Sequence, residues 1–341
     1  MTRIDGSMGE GGGQVLRTAL SLSLITGRPF QIDNIRAGRQ KPGLLRQHLA
    51  AVLAATEVGA AQVEGASLGS RCITFAPGRV RAGDYHFAVG SAGSGTLVFQ
   101  TVLPALMMAD GPSTVEIEGG THNDAAPPFH FLARAFTPLV RRMGSDIQLT
   151  LERYGFYPAG GGRFRATIQP VQHLAPLHLE HRGETASRRV IAILANLPRR
   201  IAEREVATAA SLLAWGPDAH VIESTSESGG PGNVVLVEIE STQVTGIFTA
   251  FGQKGVSAER VAQIAATEAR EYLASQAAVC QHLADQLLLP MALAGAGSFT
   301  TVNVNRHAWT NMAVIQQFLP VRFETSEGRG YTKVEVATGP E

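Results

Sequence analysis

Cysteine and lysine are scarce in this 341-residue chain, and each shortage removes a class of chemistry. The two cysteines, Cys72 and Cys280, have no repeated pair spacing. A disulfide framework and a paired-cysteine zinc site are therefore excluded, and a reducing, cytoplasmic setting fits. The three lysines are Lys41, Lys254 and Lys333; none follows a glycine, so there is no Walker A loop. None is followed by x-Asp-Gly either, which argues against a lysine-adenylate enzyme. No apolar run reaches the roughly 18–20 residues that span a bilayer, and no basic, apolar and small-residue leader opens the chain. A soluble, unexported protein is expected. Net charge is zero, with 29 cations against 29 anions, so global charge does not announce a nucleic-acid binder.

What the chain does contain is an internal repeat in the order of its elements. The first unit, about 1–80, reads as a helix at 13–26 after EGGG, a strand at 30–36, a helix at 43–57 and strands near 60–64 and 71–76. Leu45, Leu49, Val52, Leu53 and Thr56 are expected on the buried face of its second helix. The second unit, about 81–175, repeats the order from DYHFAV to RFRATIQP. The third, 277–341, opens with a helix that ends at Gly295-Ala296-Gly297, where glycine can take the left-handed end. A strand from Phe299 to Val304 follows, then a helix from His307 and a closing strand pair. Each unit is a small sheet backed by two helices on one face, an α/β architecture of layers.

The segment 183–276 interrupts this order and reads as a smaller inserted α/β domain within a large domain of 1–182 and 277–341. Strands at 188–196, 219–224, 233–240 and 244–251 are expected there, with helices at 198–213 and after Ser257, a good N-cap. GGPGN, Gly229 to Asn233, reads as a surface turn, since no lysine or capped helix follows to make it a phosphate loop.

Four stretches carry candidate chemistry. GEGGGQ, Gly9 to Gln14, sets Glu10 beside exposed N–H groups at a helix start, a place suited to anions or metal-bound phosphates as well as to a solvated loop. IRAGRQKPGLLRQH gathers Arg36, Arg39, Lys41, Arg46 and His48 without an acid between them. Guanidinium forks grip phosphates and keep their charge, so this cluster suits a polyphosphate or an RNA end, unless it is a solvated basic loop. GSAGSGTLVFQ, Gly90 to Gln100, opens another helix from glycine and serine. His307 stands where a strand gives way to a helix, a position for a reactive group or a helix cap.

Taken together, GEGGGQVLR, IRAGRQKPGLLRQHL, GSAGSGTLVFQTVLPAL, GFYPAGGG, VSAE, LADQLLLPMALAGAG and RHAWTN resemble the RNA 3′-terminal phosphate cyclases over nearly the whole chain. The resemblance implies three repeated α/β units with an inserted domain, an architecture also similar to the enolpyruvyl transferases. It implies that His307 attacks the α-phosphate of ATP to form histidine-AMP, that AMP passes to an RNA 3′-phosphate, and that the neighbouring 2′-hydroxyl closes a 2′,3′-cyclic phosphate. Neutral imidazole suits the first step.

By the same match, Gln100 and the run His282, Leu283, Ala284, Asp285 and Gln286 would hold ATP. Arg17 and Arg39 would hold the triphosphate, and Glu10 a divalent metal, magnesium or manganese. Arg36, Arg46 and His48 are expected to hold RNA bearing the 3′-phosphate. Two departures from the family pattern occur: His282 stands in place of a tyrosine, and Tyr154 and Phe164 flank an intact Pro158 to Gly162 core in place of a basic residue and a small aliphatic. A cyclase-like protein without catalysis, serving ribosomal RNA processing, is one alternative, opposed by His307, Asp285, Gln286 and Glu10. An enolpyruvyl-transferase-like enzyme is another and needs no histidine nucleophile. Oligomeric state is left open, a dimer included.

Overall fold

The computed structural model describes residues 1–339. The first unit runs β1 (Thr2–Asp5), α1 (Gln14–Thr26), β2 (Phe30–Asp33), α2 (Arg46–Val58), β3 (Gln62–Glu64) and β4 (Ile73–Ala76). The second runs β5 (Asp84–Ala88), α3 (Gly95–Leu106), β6 (Ser113–Gly119), α4 (Phe129–Phe131) continuing through a π-turn into α5 (Thr137–Arg142), β7 (Asp146–Arg153) and β8 (Gly162–Gln169). The third begins with β9 (Leu177–Leu179) and resumes about a hundred residues later with α8 (Gln281–Ala294), β14 (Gly297–Thr301), α9 (Arg306–Ile315), β15 (Val321–Gly328) and β16 (Tyr331–Thr338).

Each unit forms a four-stranded sheet of one topology: β1-β2-β4-β3, β5-β6-β8-β7 and β9-β14-β16-β15. In each, the first pair is parallel and the other two pairs are antiparallel. A helix joins the parallel pair, as a crossover must. Between β9 and α8 lie β10 (Thr185–Ala195), α6 (Arg200–Leu213), β11 (His220–Thr225), β12 (Gly232–Ser241), β13 (Thr245–Phe251) and α7 (Ala258–Ala274). Their strands form a fourth sheet, ordered β11-β10-β12-β13.

In the second sheet β6 has every second side chain inside and so presents one apolar face to its helices, whereas β14 and much of β10 and β12 are buried throughout. The first helices of the three units behave differently. All of α1 from Gln14 to Leu24 except Arg17 is buried, as is nearly all of α3 and most of α8. Covered on nearly every side, α1 packs between α3 and α9, with α8 against α9. The interior is thus built from equivalent helices of three repeats.

Local signals mark several boundaries. Ser257 Oγ accepts from Arg260 N to cap α7, and Gly295 ends α8 with φ 73°. Two expectations are corrected, and two strands were missed. The buried residues of α2 are His48, Ala51, Val52, Ala54, Ala55 and Val58, while Leu53 is 51% exposed; the small alanines let α2 lie close to α3. The strand expected from Phe299 to Val304 spans Gly297–Thr301 and is buried on both faces, so its alternation carried no information about its end. The opening strands β1 and β9, of four and three residues, went unnoticed because they are too short to display a period.

Candidate active site

Four helices meet at one cavity. From α1 come Gln14, Arg17 and Thr18; from α3, Leu97 and Gln100; from α8, Asp285 and Gln286; and from α9, His307 and Asn311. Spacings of three and four residues place the α1, α3 and α9 side chains on one face of each helix, while Asp285 and Gln286 are neighbours in α8. The α9 start is fixed by Asn305, whose Oδ1 accepts from Ala308 N at 2.8 Å, and His307 follows in the first turn. Leu103, Met107 and Phe136 close the apolar end of the cavity.

The Asp285 carboxylate is the node of the site. Its Oδ1 accepts from Gln14 Nε2 at 2.8 Å and Asn311 Nδ2 at 3.2 Å. Its Oδ2 accepts from Gln286 Nε2 at 3.0 Å and lies 3.0 Å from His307 Nδ1. Asn311 is itself held by Thr18 Oγ1 at 2.9 Å. A buried carboxylate so surrounded has its lone pairs met. Because the ionised group can only accept, Nδ1 of His307 must carry the proton, and Nε2 keeps a lone pair. The His307 side chain is one-third exposed, so that lone pair is reachable. Gln286 Oε1 in turn accepts from Gln100 Nε2.

Cations stand nearby in different states. Arg17 lines the cavity, and burial pushes its guanidinium down to about 10, against the pull of Asp285, so it stays charged at neutral pH. Among the described residues its guanidinium makes no side-chain hydrogen bond or ion pair, which leaves its donors open to an anion. Arg39 is exposed and pairs with Glu10 at 3.2 Å. The loop bearing Glu10 is clasped by Arg306 Nη2, which donates to Gly9 O at 2.6 Å. Close approach demands glycine there: a Cβ on Gly9, at φ +59°, would overlap Thr310 Oγ1, and one on Gly13 would overlap His48 Nε2.

The other residues expected at the site are placed as follows. Arg36 is buried, and its Nη1 donates to the carbonyls of Lys41 and Gly43, which pins its own loop. His48 is buried against Gly13; burial, with Arg17 and Arg36 close by, pushes it down to about 3, so it is neutral. Arg46 is exposed at the start of α2. Leu283 and Ala284 are buried in α8 and do not line the cavity. His282 is exposed, 3.8 Å from Glu268 of α7, and also lies off the cavity. Gln14, Thr18 and Asn311 were not singled out from the sequence, although Gln14 and Thr18 are buried polar residues four apart on one helix. Asn311 lies four residues after His307, one turn along the same face.

A histidine held by a buried carboxylate, with an arginine lining the same cavity, thus lies where helices of the three repeated units of an α/β protein meet. The chain belongs to the RNA 3′-terminal phosphate cyclase family, whose pattern matches residues 8–325. An RNA 3′-terminal phosphate cyclase of Koribacter versatilis (strain Ellin345) is 58% identical over 338 residues, covering 99% of this chain and 95% of that protein. Another, of Salmonella paratyphi C (strain RKS4594), is 55% identical over 335 residues, covering 98% of this chain and 96% of that protein.

Proposed function

We propose that the chain converts an RNA 3′-terminal phosphate to a 2′,3′-cyclic phosphate, using ATP and releasing AMP and pyrophosphate. The observation that carries this reading is the His307–Asp285 pair, with Nδ1 held at 3.0 Å and Nε2 left open. Nε2 attacks the α-phosphorus of ATP, the bond to the β-phosphate oxygen breaks, and pyrophosphate leaves. Asp285 stabilises the positive charge that forms on the ring, as a triad carboxylate does. An oxygen of the RNA 3′-phosphate then attacks the adenylate phosphorus and the P–N bond breaks. Last, the 2′-hydroxyl attacks the activated 3′-phosphorus, loses its proton, and expels AMP. Holding that hydroxyl beside the phosphorus can provide an effective molarity of roughly 10⁵ M or more, so closure outruns hydrolysis.

Arg17 and Arg39 serve the triphosphate, where fixed positive charge stabilises the leaving pyrophosphate. Gln100 and the α8 run from His282 to Gln286 hold ATP, with Asp285 and Gln286 facing it and Leu283 and Ala284 supporting the helix from behind. Glu10 would hold magnesium or manganese: one carboxylate with phosphate and water oxygens is the donor set such an ion takes in nucleotide sites. When bound, the ion neutralises phosphate charge. Arg46 faces the RNA phosphates, and Arg36 and His48 shape the wall behind it. Among the described residues no helix is long and apolar enough to cross a membrane.

The test follows ATP labelled at its α-phosphate. The protein should gain one AMP through an acid-labile, alkali-stable bond, and His307→Ala should abolish it. A 3′-phosphorylated oligoribonucleotide should then cyclise, whereas its terminal 2′-deoxy twin should be adenylylated and stop. Cyclic product from neither, or equal AMP release from both, overturns the reaction; a protein that gains no AMP points to the non-catalytic alternative.

A further inference from the structure

A second cleft adjoins the first. It lies between Gln47 of α2, the glycine-serine run before α3, the 123–126 loop and the Tyr157-Pro158 turn, and Leu97 lines both cavities. Its volume is about 510 Å³, which falls within the range of ligand sites, roughly 300–1,000 Å³. Neither the histidine chemistry nor the binding of ATP uses it.

The walls are built rather than loose. A Cβ on Gly160 would come within 2.7 Å of Ala92 Cα, so the two glycine-rich turns lie directly against each other. Gln47 Oε1 accepts from Ser94 N at 3.0 Å and ties α2 to the start of α3. The GGPGN turn of the inserted segment braces the outer side: a Cβ on Gly232 would overlap the Phe156 ring, and one on Gly230 would lie 2.7 Å from Ala159 Cβ. That gives the turn a role which its sequence did not disclose.

The chemistry of the lining selects the occupant. Asp124 is its one charged residue among the described residues, so the cleft repels a phosphate and accepts a neutral group rich in donors. Asn123 Nδ2 donates to Ala92 O at 2.6 Å and its oxygen is enclosed, Gln47 keeps its Nε2 for the cleft, and Tyr157 stands at the rim 76% exposed. An aromatic ring that a folded protein leaves so open, beside polar groups, is the platform on which nucleic-acid bases stack, and such stacking tolerates any base.

We propose that this cleft receives the terminal nucleoside of the RNA, its base on the ring of Tyr157, its donors toward the Asp124 carboxylate and an acceptor toward Gln47 Nε2. The inference rests on the cyclase reading and adds to it a second subsite: Leu97 joins the cleft to the cavity of His307, so a nucleoside here would present its 3′-phosphate across Leu97. The arrangement holds the RNA end by shape and stacking, in addition to the arginines that neutralise its phosphates.

The test uses the full chain and a 3′-phosphorylated oligoribonucleotide. Tyr157→Ala should raise the KM for RNA about ten-fold, and Tyr157→Phe, which keeps the ring, should restore it. An oligoribonucleotide whose last nucleoside lacks its base should show the same loss with the wild-type chain and little further loss with Tyr157→Ala. Labelling of the protein by ATP, measured alongside, reports the other cavity. If labelling and cyclisation proceed but KM is unmoved, or the two losses multiply in full, this inference fails alone. If the wild-type chain neither labels nor cyclises, both readings fall.

Discussion

Gln14 and Asp285 lie 271 positions apart in the chain and share a hydrogen bond of 2.8 Å. The first helix of the first unit thereby holds the carboxylate that orients the histidine of the third. Removing either partner should be felt at His307, with different signatures.

Asp285→Asn keeps the shape and loses the charge that sets the imidazole tautomer. Self-adenylylation should fall by about 10³-fold or more, by analogy with a triad aspartate, while circular dichroism stays that of the parent. Labelling within ten-fold of the parent would remove Asp285 from the proposed mechanism. Gln14→Leu should act more mildly on labelling and cost roughly 1–3 kcal/mol of stability, since it leaves a buried oxygen short of a donor.

Glu205 gives the inserted segment a pH dependence. Its carboxyl is fully buried; one oxygen accepts from Asn233 Nδ2 at 2.7 Å and the other has no partner. Burial raises it from an ordinary 4.5 to about 7, against the hydrogen bond from Asn233 and the charge of Arg204, with Glu259 adding slightly to the rise. The folded chain therefore binds this proton more tightly than the unfolded chain does, and stability falls as pH climbs from about 4.5 through 7. Glu205→Gln, which stays neutral, should gain roughly 2–3 kcal/mol over the parent at pH 8 and little at pH 5. Urea unfolding at both pH values checks this, and an equal effect at both would refute it.

Two glycines with similar backbone angles should respond differently to alanine. Gly9→Ala meets Thr310 of α9 and should depress self-adenylylation as well as the melting temperature. Gly27, at φ +67° with nothing within 4 Å, should lose only the roughly 1–2 kcal/mol of left-handed strain. Equal effects on labelling would mean that the contact of Gly9 with α9 does not position His307.

Replacing 183–276 by a short linker should leave a folded chain if the segment is a separate domain. The two crossings are adjacent, since the Arg182 guanidinium donates to the carbonyls of Tyr272 and Ser275. Cooperative unfolding should persist in the trimmed protein, with weaker use of RNA because the brace on Phe156 and Ala159 is gone. Loss of all cooperative unfolding would count against a separate domain.

Much of this protein was legible because it is local. Gly295 closes α8 and Ser257 caps α7 through atoms a few residues away, so residue type and spacing carry the information. The order helix, strand, helix, strand pair is likewise a matter of period and length, and its threefold recurrence announced the architecture. The runs around Glu10, Arg39, Gln100, Asp285 and His307 pointed to one family, and Gln100, Asp285 and His307 line one cavity.

Other features depend on what lies across the fold. Leu53 fits a helical stripe, yet it faces solvent because α3 selects the alanine face of α2. Arg36 and Arg46 are equivalent in a list of cations, but one is turned into its own loop and the other left in water. Gln14, Thr18 and Asn311 are ordinary polar residues until helices from the first and third units meet.

The sequence by itself determined most of the elements, their repetition, the family and the nucleophile candidate, since backbone preference and hydrophobic period act over one or two turns of chain. Tertiary structure alone decided which polar groups surround Asp285, which cations remain free, and that a second cleft adjoins the first. Those facts rest on distances and desolvation between residues tens to hundreds of positions apart, and neither exists until the three units close on one another.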